Sequence, residues 1–554
     1  MKDFYEELIQ VVKENKPDKR RLARLKKDLC KKYKLKEMPK DTEIFFNLNE
    51  DVDLKPYLSI KPTRTISGVA PISLMTKPEK CKHGTCVFCP GGPNSVFGNV
   101  PQSYTGNEPA SRRALRNNYD PYLQIFNRLQ QYTAIEQSFD KIEIIIQGGT
   151  FLSYEDDYKE EFITYVFKAL NDFSDLFYSN IKKFKEFFEL PGDFQDDERV
   201  KRVQDKVLQL KGKSNLLYEQ KRNETSKARC VGLTVETKPD WGKLEEGNEM
   251  LSLGTTRVEL GVQSVYDDVL LKSNRGHTIK DTIESIRILR DLGFKLNFHY
   301  MPGLFVDKER DLEGMKELFS NPDFRPDMLK IYPCRIFKGT ALYNMWKSGK
   351  YKPLSNEEAV ELISEFKRYV PEYCRIMRVN RDIPDYLSEE GVNKTNLRED
   401  IKMILSEKGI KCRCIRCRES GRASKIEDVE IVVREYEASG GKEFFISAED
   451  VKNDVLLGFC RLRFPSQFLR KEITKKSALI RELHVYSKAV SIGHKEEEAM
   501  QHKGYGRILM EKAEEIARSN GKDKAVVISG VGVKKYFIDK LNYKYDGPYV
   551  SKEL

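Results

Sequence analysis

Cys81-Lys-His-Gly-Thr-Cys86-Val-Phe-Cys89-Pro-Gly-Gly, residues 81–92, sets three cysteines on one short loop with the spacing C-x4-C-x2-C. Three thiolates so placed suit an iron–sulfur cluster with one iron left without a protein ligand, open to a small molecule. Four ligands would close the site, as in a structural zinc loop. His83 would be such a fourth ligand, so the closed alternative stays open. Gly91 and Gly92 let backbone approach a bound group.

Outward from this loop, strand-like segments recur at 71–76, 141–147, 228–236, 255–263, 294–301, 327–332 and 375–379. Amphipathic stretches such as 278–292 and 356–369 lie between them. The alternation predicts an α/β fold, a parallel sheet with helices outside in a full or partial (β/α) barrel, with chemistry at the C-terminal strand ends. The stretch 155–227 is longer than a crossover needs and predicts an inserted pair of helices. From about 428 the rhythm changes to strands at 430–437, 443–447, 455–464 and 478–486, then a helix at 505–520, a strand at 525–529 and a short helix near Tyr536. That is a separate α+β domain. The expected order is a basic helical segment (1–60), the barrel (61–400), a cysteine-containing linker (401–427) and the second domain (428–554).

Over 554 residues, 39% hydrophobic and 33% charged composition excludes a disordered chain. No run approaches the roughly 20 apolar residues of a membrane helix. The start MKDFYEELIQ lacks the basic-then-apolar order of a signal peptide. A soluble, cytoplasmic protein is expected. Its 11 cysteines are an odd number, and six fall in two tight triplets, which favours two metal sites over disulfides. Lys+Arg 97 against Asp+Glu 86 gives +11. Residues 19–36 hold ten basic residues and one acid, with Leu22, Leu25, Leu29 and Tyr33 at helical spacing. A helix with one apolar face and a positive remainder fits a phosphate-bearing partner; a solvated surface helix is the plainer alternative.

The second triplet, Cys412, Cys414 and Cys417, has C-x-C-x2-C spacing. Zinc suits it and would hold the two domains in fixed relation. A fourth ligand is open among His484, Cys460, Cys374 and Cys334. Near the C-terminus, Gln501-His-Lys-Gly504-Tyr505-Gly506 precedes a helix beginning near Arg507, and follows a strand carrying Arg481 to Val485. Backbone N–H groups at such a helix start form an anion site.

Gln147-Gly148-Gly149-Thr150 closes the second strand. With the first triplet it resembles the radical S-adenosylmethionine (SAM) enzymes, whose Gly-Gly motif contacts the SAM amino group, although their commonest spacing has three residues, not four, between the first two cysteines. The C-terminal region resembles GNAT-type acetyltransferases. The combination resembles the Elongator catalytic-subunit family of tRNA wobble-uridine acetyltransferases, most of all archaeal members. Further stretches carrying this likeness are 102–106 (QSYTG), 236–240 (ETKPD), 259–264 (ELGVQS), 274–277 (NRGH), 324–327 (FRPD) and 528–532 (ISGVG).

The resemblance implies a radical SAM partial barrel followed by a GNAT-type domain. Cys81, Cys86 and Cys89 would hold a [4Fe–4S] cluster, and Gln147, Gly148 and Gly149 would face SAM. Glu482, Leu483, His484, Val485, Gln501, Gly504, Tyr505, Gly506 and Arg507 would bind acetyl-CoA. Lys141 matches a family lysine touching acetyl-CoA, and Tyr536 one member of a Tyr-Tyr pair whose second position here is Phe537. The implied partners are the tRNA anticodon loop and backbone and an electron donor, and the implied product is 5-carboxymethyluridine at the wobble position. Rival readings are a protein lysine acetyltransferase with a structural cluster, an RNA-binding scaffold, and a radical SAM enzyme acting on another base with acetyl-CoA as regulator.

Overall fold

The computed structural model describes residues 2–15, 19–35, 38, 68–135, 137–192, 196–394, 396–422, 426–486 and 504–554. Seven parallel strands form the first sheet: β1 (Ala70–Met75), β2 (Lys141–Gln147), β3 (Arg229–Thr237), β4 (Arg257–Gln263), β5 (Lys295–Tyr300), β6 (Met328–Ile331) and β7 (Arg375–Val379), in that spatial order. β1 and β7 do not pair, so the barrel is partial. In β2, Ile142, Ile144 and Ile146 are fully buried, while Glu143, Ile145 and Gln147 line the interior cavity. That is the two-residue period of a strand between a helical layer and a cavity.

The surrounding helices start where the sequence supplies caps. Asp120 accepts from the Leu123 N–H ahead of Pro121–Ala134, and capping boxes open Ile279–Asp291 (Thr278, Asp281) and Asn356–Phe366 (Ser355, Glu358). Between β2 and β3 stand four helices rather than the expected pair: Asp156–Phe177, Ile181–Phe187, Asp197–Lys211 and Leu216–Asn223. The helix Leu397–Glu407 packs on Asn356–Phe366 and straddles the boundary expected at 400.

The second sheet has the order β8 (Glu430–Ala438), β9 (Gly441–Asp450), β10 (Val455–Phe464), β11 (Ser477–Val485), β12 (Lys524–Val527), β14 (Tyr549–Glu553), β13 (Lys544–Asp546). Only β11 and β12 run parallel, and their pairing ends at Ile480–Val527. Past that point no strand among the described residues pairs with β11 on this side. One face, with Phe444, Ile446, Leu462 and Ile480, packs on the helix Tyr505–Ser519. Phe445, Phe459, Leu479 and Val526, on the other face, join the core of the barrel itself. At the N-terminus, Lys2–Asn15 and Lys19–Lys32 enclose a small separate core including Phe4, Leu8, Leu22 and Leu29. No helix among the described residues is long and apolar enough to cross a membrane.

Candidate active site

The barrel encloses a cavity of about 560 Å³. Cys81, Cys86, Cys89, Gln147 and Gly149 line it, so the structure gathers the first triplet and the Gly-Gly turn on one space. Gly148 and Gly149 have φ of 129° and 110°. A Cβ at Gly148 would lie 2.2 Å from Thr76 Oγ1, which explains glycine there.

The sulfurs of the first triplet are dressed with donors. Arg275 Nη1 is 3.4 Å from Cys86 Sγ, His83 Nε2 is 3.2 Å from the same sulfur, and the Ser103 N–H donates to Cys89 Sγ at 3.2 Å. Burial, then Cys89 and Cys86, pushes the Cys81 thiol up to about 12. Burial, then Lys238 and Arg275, brings His83 down to about 4, so it is neutral beside the thiol. Protein alone leaves the Cys81 and Cys89 thiols reluctant to ionise; a bound cationic cluster would reverse that. The buried polar atoms Arg275 Nε and Gln263 Oε1, both on residues lining the cavity, have no hydrogen-bond partner. Among the described residues, these three sulfurs do not close onto one point as those of the second triplet do. The residues therefore fit a multi-iron cluster with a polar ligand beside it better than a single ion.

The cavity wall continues with Glu236, Glu259, His299 and Lys330. Asn297 Nδ2 and His299 Nε2 reach Glu259 at 3.1 and 3.0 Å, and Lys330 donates to it as well. Burial opposes ionisation of Glu259, but Lys330, His299 and Arg257 hold its carboxyl well below the usual range. Tyr104 and Gln147 donate to Glu236 at 3.0 and 3.3 Å. Tyr104, Glu236, Glu259 and Arg275 stand in stretches that carry the family likeness, but the sequence alone assigns these side chains no role. Lys330 and His299 sit on plain strands and carry no signal.

Lys141 lies at the opposite end of β2 from Gln147 and is not in the cavity lining. It pairs across the sheet with Arg229. Burial, then Arg229, lowers its pKa. A Cβ on Gly532 would lie 2.6 Å from Arg229 Cβ, so this strand end abuts the second domain four residues before Tyr536.

In the second domain, Gly504 takes φ 76° and no side chain caps the helix Tyr505–Ser519. A Cβ on Gly506 would lie 3.1 Å from the Tyr536 hydroxyl, which places that phenol over the helix start beside Tyr505 and Arg507. Burial raises the Tyr536 pKa, keeping it protonated. Phe537 is a core residue against Tyr543, ring centroids 5.9 Å apart. Leu483 and Val485 pack toward the helix side; Glu482 points the other way, to Arg461 at 2.9 Å and Lys295 at 3.9 Å. The His484 ring packs on Tyr486, centroids 4.5 Å apart, and burial brings it down to about 4. Gln501 lies outside the described residues.

Cys412, Cys414 and Cys417 offer sulfurs that all lie within 4.8 Å of one another, and none of the four expected fourth ligands joins them. Lys367 donates to Cys412 Sγ at 3.4 Å. The Ile415 N–H donates to the Cys374 carbonyl beside β7, while Arg418 pairs with Glu449 on β9, so the triplet sits where linker, barrel and second sheet meet.

The chain matches the ELP3 N-terminal domain over residues 1–66, the Radical SAM superfamily over 75–319, the Radical_SAM C-terminal domain over 326–407 and the Acetyltransferase (GNAT) family over 415–534. It is 44% identical to a tRNA uridine(34) acetyltransferase of Methanocaldococcus infernus, covering 100% of this chain and 99% of the relative. Elongator complex protein 3 of Saccharomyces cerevisiae is 41% identical, over 95% of this chain and 90% of the relative. The solved structure of M. infernus Elp3 lacking residues 1–46 superposes with a TM-score of 0.72 at 41% identity, over 88% of this chain and 100% of that one. On this full-length likeness and the shared order of domains, the chain belongs to the Elongator complex protein 3 family, which includes the archaeal tRNA uridine(34) acetyltransferases.

Proposed function

We propose that this protein modifies the wobble uridine of tRNA, joining the methyl carbon of an acetyl group from acetyl-CoA to C5 and leaving a carboxymethyl group after the thioester is hydrolysed. Cys81, Cys86 and Cys89 would hold a [4Fe–4S] cluster, and Gln147, Gly148 and Gly149 would bind SAM. When bound and reduced by an external one-electron donor, cluster and SAM supply a carbon radical able to take hydrogen from the unactivated acetyl methyl.

The chain's own residues do the rest. The uncapped start of the helix Tyr505–Ser519 takes the pyrophosphate of acetyl-CoA. The unpaired edge of β11 beyond Ile480 offers backbone groups from Glu482 to Val485 to the extended pantetheine arm. Since the Glu482 side chain is engaged by Arg461, its contribution is through backbone. Tyr536, protonated, donates its proton to the departing thiolate. Lys141, beside Arg229 at the domain junction, contacts acetyl-CoA as the family likeness implies. A zinc ion on Cys412, Cys414 and Cys417 clamps that junction, with Lys367 balancing the thiolates. The basic helix Lys19–Lys32 holds the tRNA backbone, and the enzyme works in the cytoplasm.

One contact supports the reading above all. Arg375 lines the barrel cavity, and its guanidinium donates at 3.1 Å to Tyr486, one residue beyond the acetyl-CoA strand. This side chain ties the strand proposed for acetyl-CoA to the barrel cavity at the opening end of β7, the strand end away from Gln147 and the cluster loop. The test is anaerobic incubation with tRNA, acetyl-CoA, SAM and dithionite, then nucleoside analysis by mass spectrometry. A 5-carboxymethyluridine peak needing all three small molecules, and lost with Cys86→Ala, supports it. Lysine acetylation without SAM and without a modified uridine overturns it.

A further inference from the structure

At the cavity mouth the Arg381 guanidinium lies over two rings, 5.7 Å from the centroid of Tyr104 and 5.9 Å from that of Tyr332. The three come from the loop after the cluster cysteines, the end of β6 and the turn after β7, and all three line the cavity. Each is fixed from behind. Tyr104 donates to Glu236 at 3.0 Å, and Tyr332 meets His299 edge-on at 5.3 Å. Arg381 donates to the Ser103 carbonyl, and the Ser103 N–H in turn donates to Cys89 Sγ at 3.2 Å. A planar cation and two phenols are thereby tied, one residue removed, to a cluster ligand. Arg378 and Arg416 line the same cavity.

We infer that Tyr104, Tyr332 and Arg381 form a stacking platform that seats the target nucleobase of the RNA. The inference rests on the tRNA reading above and deepens it. A base drawn out of its stack needs a flat, weakly hydrated surface, and aromatic rings and guanidinium planes supply one. The phosphates flanking such a base suit Arg378 and Arg416. A lysine side chain fits neither feature: it has no flat face and is repelled by the arginines. The link through Ser103 gives the platform a fixed position relative to Cys89, so a seated base is held at a set place beside the radical source.

The adenine of SAM is the other flat group that enters this cavity, and the test separates the two. Reconstituted holoenzyme is titrated with fluorescent anticodon stem-loops bearing uridine or an abasic nucleotide at the wobble position, using wild type, Arg381→Gln, Tyr332→Leu and the conservative Tyr332→Phe. SAM affinity is read in parallel by equilibrium dialysis, and cluster absorbance reports an intact loop. In wild type and Tyr332→Phe the abasic nucleotide is expected to weaken binding about tenfold. In Arg381→Gln and Tyr332→Leu that penalty is expected to shrink to about twofold or less, with SAM affinity held. Should Arg381→Gln lose the cluster, Tyr332→Leu carries the comparison, because it leaves the Ser103 link intact. An abasic penalty equal in all four proteins, or absent from wild type, overturns the platform while leaving the tRNA reading standing. Loss of SAM affinity with an unchanged abasic penalty assigns the platform to adenine and overturns it too. A wild-type holoenzyme that binds neither stem-loop but acetylates lysine removes the tRNA reading itself.

Discussion

Arg481 on β11 reaches across the domain boundary to Asp327, donating to its two carboxylate oxygens at 2.8 and 2.7 Å with both side chains buried. A bulge in the β10–β11 ladder leaves Arg481 unpaired between Ile480 and Glu482, so that both Arg481 and Glu482 face the barrel. Burial opposes ionisation of Asp327, but Arg481, then Arg461, holds its carboxyl far below the ordinary range. Removing one partner strands the other's charge, so Asp327→Asn is expected to cost about 3–5 kcal/mol in thermal or chemical denaturation. Because the folded value is depressed, the contribution is complete above the ordinary aspartate value of about 4 and drains as pH falls below it. Wild type should lose stability with acidification there, and Asp327→Asn should lose less.

Asp311 behaves in the opposite sense. It is buried beneath the Gly303 N–H and the Tyr300 hydroxyl, and burial raises it to about 7. The folded chain then holds a proton that the unfolded chain releases near pH 4, so stability falls as pH rises from about 4 to 7. The swing is on the order of 4 kcal/mol. Asp311→Asn imitates the neutral carboxyl, and its stability relative to wild type is expected to grow by about that amount as pH rises across the window. A variant with the wild-type slope would show that another group carries it.

Much of this was legible from the chain. The seven barrel strands announce themselves as apolar-rich segments such as Ile142–Ile146, and the first cysteine triplet points to its chemistry only together with Gln147-Gly148-Gly149 and the other family stretches. The domain contact was not legible. Arg461 and Arg463 on β10 are charged residues with no local sign of burial, yet they are buried against Glu482 and Asp291 of the strand beside them and the barrel helix opposite. Nothing local tells a strand that a second domain will cover it. The last two strands, Lys544–Asp546 and Tyr549–Glu553, are short and polar and gave no periodic signal. Arg381 stands 277 residues from Tyr104, and only the closed fold brings them together.

Zinc at the second triplet predicts about one equivalent of that metal, beyond the cluster iron, by elemental analysis of the purified protein. Cys417 is exposed, so a chelator should reach the ion. Cys414→Ser, which removes the fully buried sulfur, is expected to lose the metal and lower the melting temperature by several degrees while the cluster absorbance persists. Iron in its place, with a second cluster spectrum, would assign the triplet otherwise.

Arg275 bridges Cys86 Sγ, at 3.4 Å, and the Gly261 carbonyl, at 2.8 Å. A cationic donor on a cluster sulfur favours the reduced state. Arg275→Gln is expected to move the cluster potential to more negative values and to slow reductive SAM cleavage at a fixed donor potential. A redox titration followed by electron paramagnetic resonance reads the shift. An unchanged potential would confine Arg275 to packing the loop.

Tyr536 gives the sharpest separation of binding from chemistry. Its hydroxyl sits over Gly506 at the helix start, on the side of Val485 at the end of β11. Tyr536→Phe removes one proton donor and leaves the helix N-terminus and the strand edge untouched. Acetyl-CoA affinity should therefore stay within about twofold. Turnover of acetyl-CoA in the presence of tRNA should fall roughly 100-fold, the ordinary size of a lost general acid. Phe537 cannot take over, because it has no hydroxyl and its ring is packed into the core on Tyr543. Loss of affinity with turnover preserved at saturation would make Tyr536 a wall of the pocket, and the proton for the thiolate would then have to come from water.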